Sequence, residues 1–179
     1  MQNTLAMNSN LFYPLVIVCL VTHIIRTIYE ILKHKKLFTP SGTSFAIIFT
    51  NMMLLWISWF GLCSLDSYTI ELISIIKYGG GLISIIGVGL FVIALLTIKS
   101  LESYDGNLIT KGIYSKIRHP MYLGFICWLI GVPLFFGAVF SLFLSFLFIA
   151  NVLFWRNLEE IELEERFTTY KEYRKTTYF

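Results

Sequence analysis

The sequence predicts an all-α integral membrane protein, a bundle of about five transmembrane helices followed by a cytoplasmic helix at the carboxyl terminus. The composition is the first reason, because 56% of the residues are hydrophobic and only 14% are charged, whereas soluble domains average about 25% charged residues. The second reason is the arrangement of the apolar residues in long runs, one of which, Met121–Trp155, carries no charge. A chain of 179 residues cannot hold a separate soluble domain as well as several spans, so we expect residues 1–179 to form a single membrane domain.

The first three spans follow one another in the amino-terminal half. Leu11–Leu32 is apolar until charged residues appear toward its end, and Ser44–Leu65 is uncharged up to its last residue. Tyr78–Ile98 is the third span, and Ile70–Ile76 is a candidate lead-in helix before it. Each span is close to the ~20 residues that a helix needs to cross the hydrocarbon core. Residues 1–98 are therefore predicted to contribute three transmembrane helices.

The uncharged stretch Met121–Trp155 predicts a helical hairpin. It is about twice as long as one shallow crossing requires, so the chain can enter the membrane, turn and return. The turn is expected near Gly131-Val132-Pro133 and Gly137, where helix-breaking residues cluster. The polar segments on either side of the stretch would then lie at the same membrane surface. This juxtaposition indicates a candidate site within residues 99–179.

The basic residues predict the orientation of the bundle. Basic residues follow the first, third and fifth predicted spans, whereas the opposite loops offer only Lys77. By the positive-inside rule, the amino terminus lies outside and the carboxyl terminus is cytoplasmic, which requires an odd number of spans. Residues 1–4 carry no positive side chain, so the sequence predicts no cleaved signal peptide.

Several classes of site are not indicated. The net charge of +3 is small and scattered, so no nucleic-acid partner is expected. Cys19, Cys63 and Cys127 lie singly in apolar runs without partners at metal-ligand spacing, which predicts buried thiols and no metal site. Gly79-Gly80-Gly81 and Gly87-Val88-Gly89 lack the strand and the lysine of a phosphate-binding loop, so we expect them to allow close helix packing.

Two polar segments flank the hairpin. In the segment before it, Pro120 either stops a preceding helix or opens the next span as its first turn, and the basic and tyrosine side chains nearby could simply be head-group contacts. In the segment after it, apolar residues recur at helical spacing among many charges, which predicts a helix on a surface. Arg156 and Glu160 lie four residues apart on one face of that helix. Their simplest interpretation is an ion pair that stabilises the helix by only a few tenths of a kcal/mol.

Both segments resemble one family. Leu108–Gly124, with the sequence LITKGIYSKIRHPMYLG, resembles the signature of isoprenylcysteine carboxyl methyltransferases. The spacing Arg156-x-x-x-Glu160, followed by Leu163, Phe167, Tyr170 and Tyr173, is similar to the carboxyl-terminal block of the same family. Phe167-Thr168-Thr169-Tyr170 departs from the commoner Phe-Gly-x-x-Tyr pattern. The resemblance implies that residues 99–179 are a methyltransferase core with a cofactor-binding loop, a helical hairpin and a carboxyl-terminal helix.

What the resemblance implies is a membrane methyltransferase that uses S-adenosylmethionine to methylate the carboxylate of a lipid-modified acceptor, such as an isoprenylated cysteine. Arg156 matches the residue that binds the acceptor carboxylate and is the expected catalytic contact. Lys99 falls where the family has a polar cofactor contact, so its role is left open. The expected partners are a lipid-modified or amphipathic small acceptor and membrane lipids. The residues that match the family's cofactor contacts are Gly106, Asn107, Leu108, Ile109, Tyr114, His119, Pro120, Met121, Tyr122 and Glu160.

Three alternatives remain open at the level of the sequence. A phospholipid amine N-methyltransferase would need a base to deprotonate an ammonium acceptor, for which Glu159 and His119 are candidates. An NADPH-dependent membrane enone reductase would share the carboxyl-terminal architecture. A non-enzymatic channel or scaffold would explain His23, Arg26 and Glu30 within the first span, although Arg26 and Glu30 could also pair with each other.

Overall fold

The structure, a computed structural model, describes residues 2–38, 41–99 and 108–179. Within these residues the chain is helical, which confirms the predicted fold class, and four helices are long and apolar enough to cross a membrane. A fifth apolar helix, α4, is shorter. In chain order the elements are α1 (Gln2–His34), α2 (Gly42–Ser64), α3 (Ser74–Lys99), a 3-10 helix (Gly112–Ser115), α4 (Pro120–Phe136), α5 (Val139–Arg166) and α6 (Tyr170–Thr176).

The predicted hairpin is formed by α4 and α5. The turn falls at Gly137, whose φ of 67° lies in the left-handed region that glycine adopts without a steric penalty. Pro133, by contrast, lies inside α4. The 17 residues of α4 span about 25 Å at 1.5 Å per residue, slightly less than a hydrocarbon core of about 30 Å. The chain therefore turns within the region that the sequence indicated, and α4 is shorter than the four helices that are long enough to cross a membrane.

The loop between α2 and α3 closes this hairpin turn. The backbone amide of Ile70 donates to the carbonyl of Gly137 over 2.9 Å, and the amide of Val139 donates to the carbonyl of Tyr68 over 2.8 Å. Because the backbone of Ile70 is engaged in this way, the predicted lead-in helix over Ile70–Ile76 is wrong for its first residues, and α3 begins only at Ser74. We call this the hairpin end of the bundle.

A buried carboxylate fixes the start of α5 at the hairpin end. Ala138, the residue before α5, has no side chain that could cap the helix. Asp66 supplies the missing acceptor: its Oδ2 accepts from the amide of Ser141 over 2.7 Å and from the hydroxyl of Ser141 over 2.8 Å. A negative charge near a helix amino terminus is favourable, since it satisfies free amides and interacts with the helix dipole.

Glycines bring α3 and α4 into close contact, as the sequence predicted. Gly80 faces Gly131, and Gly87 faces Gly124, and the two glycines of each helix are seven positions apart in the sequence. A Cβ atom added to Gly87 would lie 2.7 Å from the carbonyl oxygen of Gly124, and one added to Gly131 would lie 2.8 Å from the backbone nitrogen of Ser84. Real Cβ atoms do not approach backbone so closely, so the two helices can pack at this distance only with glycine at these positions.

The remaining helices pack on this pair through large aromatic residues. Trp59, Phe148 and Trp155 are almost fully buried, and the rings of Trp59 and Phe148 lie 5.4 Å apart in an edge-to-face arrangement. Such pairs add about 0.5–1.5 kcal/mol beyond the burial of their area. The core thus sits between α1, α2, α4 and α5, and it ends at the surface formed by the end of α1, the start of α4 and the end of α5. We call that surface the site end.

A matched pair of glycine substitutions tests the packing of α3 on α4. Gly87→Ala should lower the free energy of unfolding by about 1–3 kcal/mol, because the new methyl group meets backbone that cannot move independently. Gly89→Ala lies on the same helix with nothing within 4 Å, and it should change stability by less than about 1 kcal/mol, since alanine favours the helix. Thermal unfolding in one detergent measures both. Equal effects of the two substitutions would contradict close packing at Gly87.

Candidate functional site

A cavity of about 570 Å³ lies at the site end, and its volume is in the range of small-molecule sites. Three segments that are distant in sequence surround it: the chain just before α4, the end of α5, and α6 with the turn that precedes it. The end of α3 completes the wall. The lining residues are Ile98, Leu108, Ile109, Tyr114, Arg118, His119, Glu159, Leu163, Phe167, Tyr170 and Tyr173.

The carboxylate of Glu160 joins these three segments. Its Oε1 accepts from Nε of Arg118 over 3.0 Å and lies 3.1 Å from Nε2 of His119. Its Oε2 lies 3.4 Å from Nε of Arg174 on α6. Glu160 and His119 are only 7% and 5% exposed, so these contacts are shielded from water and stronger than surface ion pairs. Glu160 therefore fixes the loop before α4 and α6 to the same turn of α5.

Arg118 extends this network to the last residues of the chain. Its Nη1 donates to the carbonyl of Thr177 over 2.6 Å and to that of Arg174 over 3.1 Å. Its backbone amide donates to the carbonyl of Tyr178 over 3.0 Å, and the amide of Tyr178 donates to the carbonyl of Lys116 over 2.8 Å. One planar guanidinium with several donors can hold a carboxylate and carbonyls at once. The carboxyl-terminal segment is thereby fixed beside the cavity.

Three tyrosines form the aromatic wall of the cavity. The hydroxyl of Tyr173 donates to the carbonyl of Tyr114 over 2.5 Å and ties α6 to the 3-10 helix. Burial raises the pKa of Tyr173 to about 12, and it also raises the pKa of Tyr114 and of Tyr170 above the usual value. All three phenols are therefore neutral at physiological pH and can donate hydrogen bonds.

Tyr170 differs from the other two tyrosines in one respect. Its side chain is 0% exposed, yet its hydroxyl has no hydrogen-bond partner among the residues that the structure describes. A buried hydroxyl without a partner costs about 1–3 kcal/mol. Because Tyr170 lines the cavity, a ligand in the cavity could accept a hydrogen bond from this group.

The structure brings together half of the ten residues that the sequence singled out as cofactor contacts. Leu108, Ile109, Tyr114 and His119 line the cavity, and Glu160 contacts His119. Gly106 and Asn107 fall outside the described residues, and of Lys99 only the backbone, at the end of α3, is described.

Pro120, Met121 and Tyr122 form the first turn of α4 instead of lining the cavity. Pro120 opens that helix at its first position, where its missing amide hydrogen costs nothing. Tyr122 is buried at 8% exposure. This resolves the two alternatives that the sequence left for Pro120, and it places His119 at the boundary between loop and helix.

Arg156 lies beside the cavity and is not one of its lining residues. Its guanidinium carbon is 4.9 Å from the centre of the Phe179 ring, and its Nη2 donates to the side chain of Asn157 over 3.2 Å. Its Nε is buried and has no partner among residues 2–38, 41–99 and 108–179. The simple ion pair with Glu160 is not formed, because that carboxylate binds Arg118, His119 and Arg174 instead.

Seven lining residues were not among the expected cofactor contacts: Glu159, Leu163 and Phe167 on α5 and at its end, Tyr170 and Tyr173 on α6, and also Ile98 and Arg118. The first three are spaced by four residues, which places them along one face of α5 and its end. That spacing is visible in the sequence, but the direction in which the face points is not. In the described part of the chain no group of three His, Cys, Asp or Glu side chains could hold a metal ion.

Comparison with known proteins finds similarity in the part of the chain that contains the cavity. Residues 77–170 match the family model described as phospholipid methyltransferase. A curated relative, protein-S-isoprenylcysteine O-methyltransferase of Schizosaccharomyces pombe, is 33% identical over 84 residues, which make up 44% of this chain and 34% of that relative. The match thus spans about a third of the relative's length, and it confirms the family resemblance found in the sequence. No solved structure matches the chain. Because the matched residues 77–170 cover more than half of it, the chain belongs to the phospholipid methyltransferase family.

Proposed function

We propose that the protein is a membrane methyltransferase that transfers the methyl group of S-adenosylmethionine to the carboxylate of a lipid-modified acceptor, such as an isoprenylated cysteine. The observation that carries this proposal is the contact between His119 and Glu160, which lie 3.1 Å apart at the wall of one cavity. These residues come from the two sequence blocks that resemble the isoprenylcysteine methyltransferases. By the distribution of basic residues, the site end would face the cytoplasm.

The cavity suits the proposed cofactor in its size and its side chains. Tyr114, Tyr170 and Tyr173 offer aromatic faces for an adenine ring. The hydroxyl of Tyr170 is a buried donor that lacks a protein partner among the described residues, and Glu159 is a carboxylate in the wall that could take a cationic or hydroxyl group. Leu108, Ile109 and His119 would contact the same ligand, while Glu160 would hold His119 in place. Gly106 and Asn107 remain proposed contacts from the sequence match, whereas Pro120, Met121 and Tyr122, which do not line the cavity, would position His119 from the first turn of α4.

The proposed reaction depends on the relative positions of the methyl donor and the acceptor more than on proton transfer. S-adenosylmethionine supplies a methyl group activated by its sulfonium centre. A carboxylate acceptor is already ionised at neutral pH, so it needs no general base. Holding the two reactants in line in a site shielded from water can supply several kcal/mol. Arg156 would orient the acceptor by a paired hydrogen bond to both carboxylate oxygens, and its buried, unpartnered Nε supports this role.

The apolar part of the cavity wall supports a lipid-modified acceptor. Ile98, Leu163 and Phe167 line the cavity where α3 and α5 leave the apolar region of the bundle. An apolar tail could therefore remain among the helices while its polar head reaches the cavity. The name of the S. pombe relative indicates an isoprenylated cysteine as acceptor, and we extend that acceptor class to this chain as a proposal.

A second candidate function is methylation of a phospholipid amine. It is favoured by the carboxylate of Glu159 in the cavity wall and by the description of the matched family. An ammonium acceptor must lose a proton before it attacks, and a carboxylate in the wall could accept that proton. The two candidates share the cofactor and differ in the charge of the acceptor. Labelled methyl transfer to a farnesylated cysteine analogue, compared with transfer to phosphatidylethanolamine, would decide between them.

Calorimetry on the detergent-purified protein tests the cofactor. We expect S-adenosylmethionine to bind with one site per chain and NADPH not to bind, because the cavity offers aromatic faces and a carboxylate. Binding of NADPH alone would reject the methyltransferase in favour of the reductase alternative. Binding of neither ligand would reject both enzymes.

A pair of tyrosine substitutions tests the fit of the cavity. Tyr170→Phe should raise the free energy of unfolding of the cofactor-free protein by about 1 kcal/mol, since it removes an unpartnered buried hydroxyl. It should also weaken S-adenosylmethionine binding about fivefold, which is about 1 kcal/mol. Tyr173→Phe is the control: it removes the 2.5 Å bond to Tyr114 and should lower stability by about 1 kcal/mol. Chemical unfolding and calorimetry measure both. A loss of stability in Tyr170→Phe without any change in cofactor affinity would contradict the assignment.

Arg156→Lys tests the proposed contact with the acceptor. Lysine keeps the charge but cannot form the paired hydrogen bond, so methyl transfer should fall at least about tenfold. The affinity for S-adenosylmethionine should stay within about twofold of the original value, because the contact concerns only the acceptor. The same substitution at the exposed Arg166 serves as the control. Parallel losses of transfer and of cofactor affinity in Arg156→Lys would reject this role.

A further inference from the structure

Helix α1 carries a charged triplet near its end, outside the region that resembles the methyltransferases. Arg26, Glu30 and Lys33 share one face of the helix. Glu30 is only 1% exposed and forms an ion pair with Arg26, as the sequence predicted, and a second with Lys33, in which Nζ and Oε2 are 2.8 Å apart. Placing charges in an apolar helix costs free energy, and such charges commonly mark functional sites.

This triplet lies against the turns of α5 that form the cavity wall. Thr27 accepts a hydrogen bond from Nε1 of Trp155 over 3.0 Å, and Nζ of Lys33 lies 3.3 Å from Glu162. Trp155, Glu159 and Glu162 share one face of α5, since they are four and then three residues apart. Glu159 lines the cavity, so the triplet of α1 is level with the cavity wall.

The guanidinium of Arg26 is fixed by several contacts, but one of its hydrogen-bond donors is unpaired. Its carbon lies 5.5 Å from the ring centre of Tyr29 and 5.7 Å from that of Trp155, and one of its nitrogens pairs with Glu30. Its Nε is buried and has no hydrogen-bond partner within the described ranges. A buried donor left unpartnered costs about 1–3 kcal/mol, more when it is charged, so a group that accepts from it would be stabilised.

Trp155 links Arg26 to the part of α5 that carries the site residues. The guanidinium carbon of Arg26 lies 5.7 Å from the ring centre of Trp155, and Trp155 directly precedes Arg156 in α5. Nε of Arg26 and Nε of Arg156 are both buried and have no hydrogen-bond partner among the described residues. One of these two guanidinium groups thus lies beside Trp155, and the other belongs to the next residue of the same helix.

We infer that Arg26 is a specificity-determining residue that binds the anionic head group of the methyl acceptor together with Arg156. This inference rests on the proposed function, because it takes the acceptor to be a carboxylate. A carboxylate has two oxygens with about four acceptor positions, enough for two guanidinium groups. Methylation removes the negative charge, so Arg26 binds the acceptor more tightly than the methyl ester. Of the charged residues of α1, Arg26 is thereby part of the acceptor site.

Binding and turnover measurements on the reconstituted full chain test this role. The probes are a farnesylated cysteine analogue with a free carboxylate and its methyl ester. Arg26→Gln should weaken binding of the carboxylate at least tenfold and leave binding of the ester within twofold. KM for the carboxylate should rise by the same factor, the affinity for S-adenosylmethionine should stay within twofold, and Arg26→Lys should restore part of the loss.

Lys33→Gln is the matched control, because Lys33 pairs with the same carboxylate of Glu30 but does not contact Trp155. It should leave binding of both probes within twofold. An equal loss in Lys33→Gln, or an equal loss for carboxylate and ester in Arg26→Gln, would overturn the inference and leave Arg26 a structural residue. If Arg26→Gln does not fold, the charge-conserving Arg26→Lys must still show the preferential loss for the carboxylate, and an unchanged ratio overturns the inference.

The wild-type protein separates the two proposals. Methyl transfer to the carboxylate probe, combined with unchanged probe affinity in Arg26→Gln, would overturn only the role of Arg26. If the wild-type protein binds S-adenosylmethionine but methylates only an amine acceptor, the carboxylate acceptor itself is wrong, and the role of Arg26 fails with it.

Discussion

The site depends on one buried carboxylate. Glu160 accepts from Arg118 and contacts His119 at 3.0 and 3.1 Å, and these three side chains join α5, the loop before α4 and the segment around α6. In water such contacts would contribute little, but at this burial a missing partner would leave an uncompensated charge that costs several kcal/mol. The position of the loop, the enclosure of the cavity and the docking of the carboxyl-terminal segment all follow from this one interaction.

The helices behind the site are held together by close steric packing more than by ion pairs. Apolar surface drives no association between helices in lipid, so α3 and α4 are held by the close approach of Gly80 to Gly131 and of Gly87 to Gly124. At the other end, Asp66 fixes the first turn of α5 by two hydrogen bonds to Ser141. With both ends of the hairpin fixed, the polar ends of α4 and α5 have little freedom relative to each other, as a preorganised site requires.

The buried charged groups are also unevenly distributed along the bundle. Apart from Asp66, the buried charged groups of the described residues lie at the site end, in Glu160 and in the triplet of α1. There they pair with arginine and lysine and contact aromatic rings, which lowers the cost of removing them from water. With its buried charges confined to the two ends of the bundle, the protein keeps charged groups out of the interior between them. The charges of α1, which by themselves would also fit a channel, thus lie within the same layer as the cavity.

The sequence by itself determined the helical membrane fold, the hairpin with a turn near Gly131-Val132-Pro133 and Gly137, the close packing of the glycines, and the pair of segments that form the candidate site. Each of these depends on local composition or on spacing along one helix, which can be read without knowledge of the partners. Only the tertiary structure decided that Glu160 binds Arg118 and His119 instead of Arg156, that Tyr170 and Glu159 line the cavity, and that Arg26 of α1 packs on Trp155 of α5. These pairings join residues on different helices, and their geometry follows from the rotation and depth of each helix, which packing alone determines.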